Sequence, residues 1–279
     1  MQELRPPAIR LLAWLLALTA AATVMVEVLI WWYADSGDFG LFVRTTWALL
    51  RSLGFLLLIR QVLNGRASAR PFGLILAVTT LFAVARLVLP KEGLPAAPGI
   101  IGFSVLFVLC VADILLLYRS EQVGAYLTRY VKRIVVDRNG ISVRATPPKR
   151  PPAAPWLLTT RVAALAYTPL MLVPAIVSIG LIFEGEPAAI SVVTVWIAAA
   201  LAIGYAMVIT TVFVLRGHRW ARIGLVILTA IALGVDLPLC WLMLDLDGLV
   251  RDGGPLVATA GLALYGLWRG GLPAGNIRV

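Results

Sequence analysis

Histidine occurs once in this 279-residue sequence, as His218, and cysteine only twice, as Cys110 and Cys240. A single histidine cannot assemble a multi-ligand metal centre, and a serine or cysteine nucleophile finds no second histidine to act as its base. Two cysteines, both inside apolar segments, build neither a disulfide framework nor a four-thiolate zinc site, and they leave the redox compartment open. The glycine-rich phosphate loop and the dinucleotide fingerprint are absent as well. The chain therefore reads as non-catalytic, with no metal and no cofactor expected.

Charge is the second scarcity. Only 14% of residues are charged while 61% are hydrophobic, and the mean hydropathy is +0.93. A water-soluble fold of this length cannot hide so much apolar surface, so the expected solvent is lipid. The net charge of +10 comes from 24 Lys and Arg against 14 Asp and Glu. In a soluble chain that excess would suggest nucleic acid, but here the basic residues lie mainly in short loops, where orientation in the membrane explains them. No nucleic-acid partner is expected.

A helix crosses the hydrocarbon layer in about 20 residues. Apolar runs of that order recur at 9–33, 41–63, 72–89, 99–118, 160–183, 189–215, 223–244 and 254–268. The expected fold is thus all-α, with eight transmembrane helices. The first run has the basic start and small residues of a leader, but it continues to Tyr33, so it is read as a retained span. Alternate connections differ in sign: one side collects 19 basic residues against Glu3, Glu121 and Asp137. The other collects eight acidic residues, among them Asp245, Asp247 and Asp252, against Lys91 and Arg251. Lys and Arg mark the cytoplasmic side, which predicts both termini inside and the cell inner membrane as the location.

Residues Val62-Leu63-Asn64-Gly65-Arg66-Ala67-Ser68-Ala69-Arg70 resemble Val214-Leu215-Arg216-Gly217-His218-Arg219-Trp220-Ala221-Arg222, 152 positions on. Tyr118-Arg119 and Trp268-Arg269 end the fourth and eighth runs at nearly the same spacing. The chain divides accordingly into a first four-helix unit (1–118), a cytoplasmic linker (119–158) and a second four-helix unit (159–279). An even number of spans per unit makes this a parallel repeat. Gly65 and Gly217 suit left-handed helix caps, and Arg66, Arg70, Arg219 and Arg222 suit the anionic headgroup layer. The Leu-Arg-Gly-His-Arg-Trp-Ala-Arg turn resembles that of small polytopic bacterial inner-membrane proteins without an assigned activity, and the resemblance implies a membrane of that kind and nothing about chemistry.

In the linker, residues 126–131 read as a continuation of the fourth helix, and Ile134 to Ala145 as a β-hairpin turning at Asn139-Gly140. That pairing sets Ile134, Val136, Ile141 and Val143 on one face. A lone hairpin is marginal in water, so it is expected to dock on the protein's own surface or on a membrane or cytoplasmic partner. Five prolines in residues 147–155 make an extended tether. Lys132, Arg133, Lys149 and Arg150 would lie against anionic lipid.

Six ionisable residues fall within spans: Glu27, Arg44, Arg51, Arg86, Asp113 and Asp236. Each needs a partner or a wet cavity, because a charge in hydrocarbon costs about 3 kcal/mol even on insertion scales. Arg44 lies near the outer interface and Arg51 near the midplane. Glu27, Arg86 and Asp236 belong to the outer third, Asp113 to the inner. Glu27 is expected to pair with Arg51 or Arg86, and Arg86 with Asp236 if the units face each other. Such a cluster is either a structural ion-pair network or a charged binding cavity. Asp113 and Asp236 also invite comparison with intramembrane aspartyl proteases, but the segments ending Ala112-Asp113 and Leu233-Gly234-Val235-Asp236 match the YD and GxGD motifs only in part. Small-residue stripes at Ala13, Ala17, Ala21 and at Ala198, Ala202, Ala206 are candidate packing faces, and Pro169, Pro174 and Pro238 candidate kinks. Two functions follow: a non-catalytic accessory subunit docking a partner or lipid, or a small-solute or lipid transporter with a charged intramembrane site.

Overall fold

The structure, a computed structural model, describes residues 6–33, 39–85, 87, 96–127, 132–137, 140–145, 155–183 and 188–271. The first four helices are α1 (Pro7–Trp32), α2 (Phe39–Leu63), α3 (Ala69–Ala85) and α4 (Ala96–Arg119). A short α5 (Glu121–Leu127) and the strands β1 (Lys132–Asp137) and β2 (Gly140–Ala145) follow. The remaining helices are α6 (Pro155–Val177), α7 (Ile179–Phe183), α8 (Ala188–Leu215), α9 (Arg219–Gly248) and α10 (Gly254–Gly271). Among the described residues, six helical stretches are long and apolar enough to cross a membrane: α1, α2, α4, α6 with α7, α8 and α9. α3 is a shorter apolar helix over its described residues. Leu53, Val108, Val195 and Ile223 are each more than half exposed, as residues facing acyl chains are. By length and composition these helices are those of a multi-pass membrane protein.

The helices pack in two rings. α1 lies against α2 and α4, and α3 against the same two. In the second ring α6 lies against α8 and α10, and α9 against α8 and, more lightly, α10. Leu12, Leu16, Phe55, Leu58 and Leu117 fill the first core, and Tyr167, Met171, Met207 and Leu256 the second. The rings meet where α6 packs on α2 and α3, and α10 on α3.

The alanine stripes are not the buried faces of these helices. Ala21, Ala198 and Ala202 are exposed, and Ala13, Ala17 and Ala206 only half-buried. Alanine sits as well on lipid as on a neighbouring helix, so its spacing alone does not choose a face. The close approaches belong to glycine instead. A methyl group on Gly204 would collide with Thr168, and one on Gly266 would lie 2.6 Å from the Trp156 carbonyl oxygen. α6 and α10 are thereby drawn together along Ala163, Ala164, Ala260 and Ala263, all buried, and the Thr160 hydroxyl donates across them to the Ala263 carbonyl at 3.1 Å.

Both arginine-rich turns close in the same way. The Gly65 N–H bonds to the Val62 carbonyl and the Arg66 N–H to that of Gln61. Likewise the Gly217 N–H bonds to Val214 and the His218 N–H to Phe213. These are Schellman caps, with Gly65 at φ 66° and Gly217 at φ 85°. They differ in surroundings: α5 folds under the first turn, where the Tyr126 hydroxyl donates to the Leu63 carbonyl at 2.9 Å. A Cβ at Gly65 would stand 3.2 Å from the Tyr126 carbonyl oxygen, while one at Gly217 meets nothing within 4 Å. Gly217→Ala should therefore lower stability by about 1 kcal/mol, the left-handed backbone penalty alone, and Gly65→Ala by more. Thermal unfolding of the two variants in detergent checks the order.

α5 replaces part of the expected continuation of α4: the helix breaks at Ser120, and Val123 and Leu127 are buried against the first core. β1 and β2 form the expected antiparallel hairpin, but its register pairs Asp137 with Gly140. The connection is thus residues 138–139 rather than Asn139-Gly140. A shift of two in register leaves the alternation intact, so Ile134 pairs with Val143 and Val136 with Ile141. Of the prolines, Pro174 accompanies a break, since α6 ends three residues later and the Ser178 N–H and hydroxyl both donate to the Pro174 carbonyl. Pro169 and Pro238 lie inside helices. α9 departs from helical geometry at Asp245 instead, at φ 57° and ψ −165°, a combination that glycine alone adopts without strain. The chain then forms a π-helical turn, Leu249–Gly253, whose Arg251, Asp252 and Gly253 are buried. Charge patterning places this segment in a connection on the acidic side; in the fold its Arg251 and Asp252 are buried against neighbouring helices rather than exposed. The turn packs inward because Gly254 lets the start of α10 approach α3: a Cβ at Gly254 would stand 2.7 Å from the Phe82 ring.

Candidate functional site

Arg51 lies on the buried face of α2 together with Ala48, Ser52, Phe55 and Leu58, the i, i+3, i+4, i+7 pattern of an inward stripe. The Ser52 hydroxyl donates to the Ala20 carbonyl at 3.1 Å and fixes α2 on α1. That packing carries a guanidinium into the protein: Arg51 is only 7% exposed. It faces a cleft between the two rings whose charged lining, among the described residues, is Glu27, Arg44, Arg51, Arg251 and Asp252. α3 contributes Thr79, and the second ring contributes Leu170 and Val173 from α6 and Pro255 from α10. The cavity volume is about 60 Å³, room for a few waters or one small polyatomic ion.

The charged groups are not equally matched. Arg251 and Asp252 form a two-point ion pair, with Nε to Oδ1 at 3.4 Å and Nη2 to Oδ2 at 3.2 Å. Successive residues of an α-helix project about 100° apart and do not face each other, so this pairing belongs to the π-turn. Glu27 accepts from the Thr45 hydroxyl at 3.3 Å, and Thr45 accepts in turn from the Trp31 indole N–H at 2.7 Å. Arg51 makes no hydrogen bond or ion pair with a described residue, and its Nε is buried and unpartnered. The described charged lining is three guanidinium groups and two carboxylates.

Of the residues singled out from sequence, Glu27 and Arg51 share this cleft but form no ion pair with each other. Arg86 lies outside the described residues, so its expected pairings do too. Asp236 is elsewhere. It is fully buried in the second ring, with Oδ1 accepting from the Trp196 indole at 3.0 Å and Oδ2 from the Cys240 thiol at 3.7 Å. A search for opposite charges could not find these neutral donors. Asp113 is buried in the first ring, where a hydroxyl rather than a cation meets it. Its Oδ2 lies 2.8 Å from the Thr19 hydroxyl and its Oδ1 has no partner among the described residues. The Thr19 hydroxyl also lies 2.9 Å from the Leu15 carbonyl, so one proton serves two acceptors. The two aspartates therefore stand in separate rings with separate partners, which is no proteolytic dyad.

Among the basic residues assigned to lipid, Arg66 and Arg219 are exposed and Arg70 and Arg222 half-buried at the arginine-rich turns. Arg70 reaches across to α5, where a methyl group on Gly124 would meet its guanidinium at 2.6 Å. Lys132 and Arg133 open β1, while Lys149 and Arg150 lie outside the described residues. Arg251 and Asp252 complete the cleft, although neither stands out as a site residue from sequence. Their one sequence signal is an Arg-Asp pair followed by Gly253-Gly254, small enough to let a charged turn pack against neighbouring helices.

No family model, curated protein or solved structure matches the chain.

Proposed function

We propose that this protein binds an anionic group within the bilayer, as a carrier for an anionic solute or lipid, and that Arg51 is the residue that receives it. The carrying observation is a buried guanidinium that lines a cleft and has no hydrogen-bond or ion-pair partner among the described residues. A cation in that setting is costly unless a counter-charge comes close enough to pair with it. The cleft's position between two helix groups supports the same reading, because transporters of repeated architecture hold substrate where their repeats meet. In this account the chain has eight spans as two parallel four-helix units, both termini at the cytoplasmic face of a bacterial inner membrane. The matching ring orders and the matching Schellman caps 152 residues apart support the repeat. No catalytic step and no metal or cofactor enters it.

The shared chemistry of the ligand is an oxyanion, phosphate or carboxylate, which a guanidinium recognises by paired hydrogen bonds. The test is thermal unfolding of the purified protein in neutral detergent with inorganic phosphate titrated at constant ionic strength. Wild type should be stabilised with a saturable dependence, following ligand binding to the folded state alone, and Arg51→Gln should lose the response. An equal response in both proteins refutes the assignment. The accessory reading draws support from the hairpin, whose two strands pair only with each other among the described residues. A stoichiometric partner in mild-detergent purification, lost when residues 132–145 are deleted, would favour it.

A further inference from the structure

A second cavity adjoins the first. It is an open groove along α1 and α2, lined by Val24, Val28, Trp31, Trp32 and Leu49 together with Glu27 and Thr45. Glu27 therefore lines both spaces, the charged cleft and the apolar groove. The groove is open to the surroundings of the helix bundle, and the residues beside it are surface residues, Val28 at 53% and Trp32 at 82% exposure. The two indoles suit the boundary between headgroup and acyl chain, where amphipathic rings gather.

Resting on the anion-binding reading above, we propose that the occupant is an anionic membrane lipid, its headgroup drawn to Arg51 and its acyl chain seated in the Trp31–Trp32 groove. Charge complementarity names the headgroup class. Arg51 lines the cleft, is buried, and makes no hydrogen bond or ion pair with a described residue. The geometry names the chain: an apolar groove and a charged cleft that share one lining side chain match an amphiphile and not a freely dissolved ion. Entry is then sideways from the bilayer through the α1–α2 seam. The Thr45 hydroxyl and the Trp31 indole that hold Glu27 lie on that path.

The experiment compares dodecyl phosphate with inorganic phosphate by thermal unfolding in maltoside detergent. Wild type should bind the alkyl phosphate about tenfold more tightly, the gain being modest because the chain leaves a micelle and not water. Val28→Trp with Leu49→Trp should remove that advantage and leave the inorganic phosphate response as it was. Trp32→Ala, which adds no bulk, should weaken only the alkyl phosphate and serves if the filled groove does not fold. Equal affinities for the two phosphates, or an alkyl-phosphate advantage that survives both groove variants, overturns the lipid assignment while Arg51 remains an anion site. A phosphate response that persists in Arg51→Gln overturns the underlying reading, and the lipid proposal with it.

Discussion

Gly266→Leu yields no folded, monodisperse protein, whereas Gly261→Leu on the same helix purifies like wild type. This is the largest effect expected from a single substitution. At Gly266 even a methyl group would lie 2.6 Å from the Trp156 carbonyl oxygen and from the Thr160 hydroxyl, so the obstruction is partly backbone and cannot rotate away. At Gly261 nothing lies within 4 Å, and the position is exposed. Overpacking a tight interface typically costs about 1–3 kcal/mol. Here leucine must also part α6 from α10, breaking the Thr160–Ala263 hydrogen bond and opening the alanine-lined seam that joins the first and last helices of the second ring. Size-exclusion profiles of the two variants, expressed side by side, report the contrast directly.

The second large effect concerns the buried pair in the π-turn. Arg251→Leu should destabilise the protein by about 3–5 kcal/mol, because it leaves the Asp252 carboxylate without the two-point partner it has at 3.2 and 3.4 Å. Asp252→Leu should be comparably harmful, since it strips the Arg251 guanidinium of that same partner in a cleft that already holds Arg51. The double variant should be less damaged than the sum of the two, since replacing both members of a buried pair removes the uncompensated charge. A double-mutant cycle by thermal unfolding gives the coupling. Strictly additive losses would mean that the pair contributes nothing as a pair.

Six of the eight expected spans were legible because lipid imposes one simple rule: a spanning segment must satisfy its own backbone and present apolar side chains for about 20 residues. α1, α2, α4, α8 and α9 obey it and fall where the apolar runs lie. The Gly65 and Gly217 turns were legible because a left-handed cap admits few residues other than glycine. Arg51 was legible as an intramembrane charge, since nothing but a wet or paired site tolerates one. What escaped reading has physical causes of the same kind. Hydropathy assigns Arg251 and Asp252 to water because each is polar alone, and takes no account of a neighbouring pair that enters together. A cation is the obvious partner for Asp236, yet an indole N–H and a thiol satisfy its two oxygens. The alanine stripes mislead because a methyl side chain is indifferent between lipid and helix, whereas Gly204 and Gly266 mark contact by having no side chain at all.

The turn after α9 folds back against α3 and closes a charged cleft between the two helix groups; every role assigned to Arg51 depends on that closure. One cross-link tests it. Phe82→Cys and Gly254→Cys, with Cys110 and Cys240 replaced by alanine and serine, join α3 to α10 across that boundary, where a Cβ at position 254 lies 3.5 Å from the Phe82 Cγ position. A protease site introduced into the linker at residues 147–154 lets the two halves separate on a denaturing gel. Under mild oxidation the halves of the cysteine pair should stay joined after cleavage and separate only on reduction. Halves that part without reductant, in a protein that is otherwise folded, would mean that the turn lies out in the aqueous loop and that Arg51 faces no such cleft.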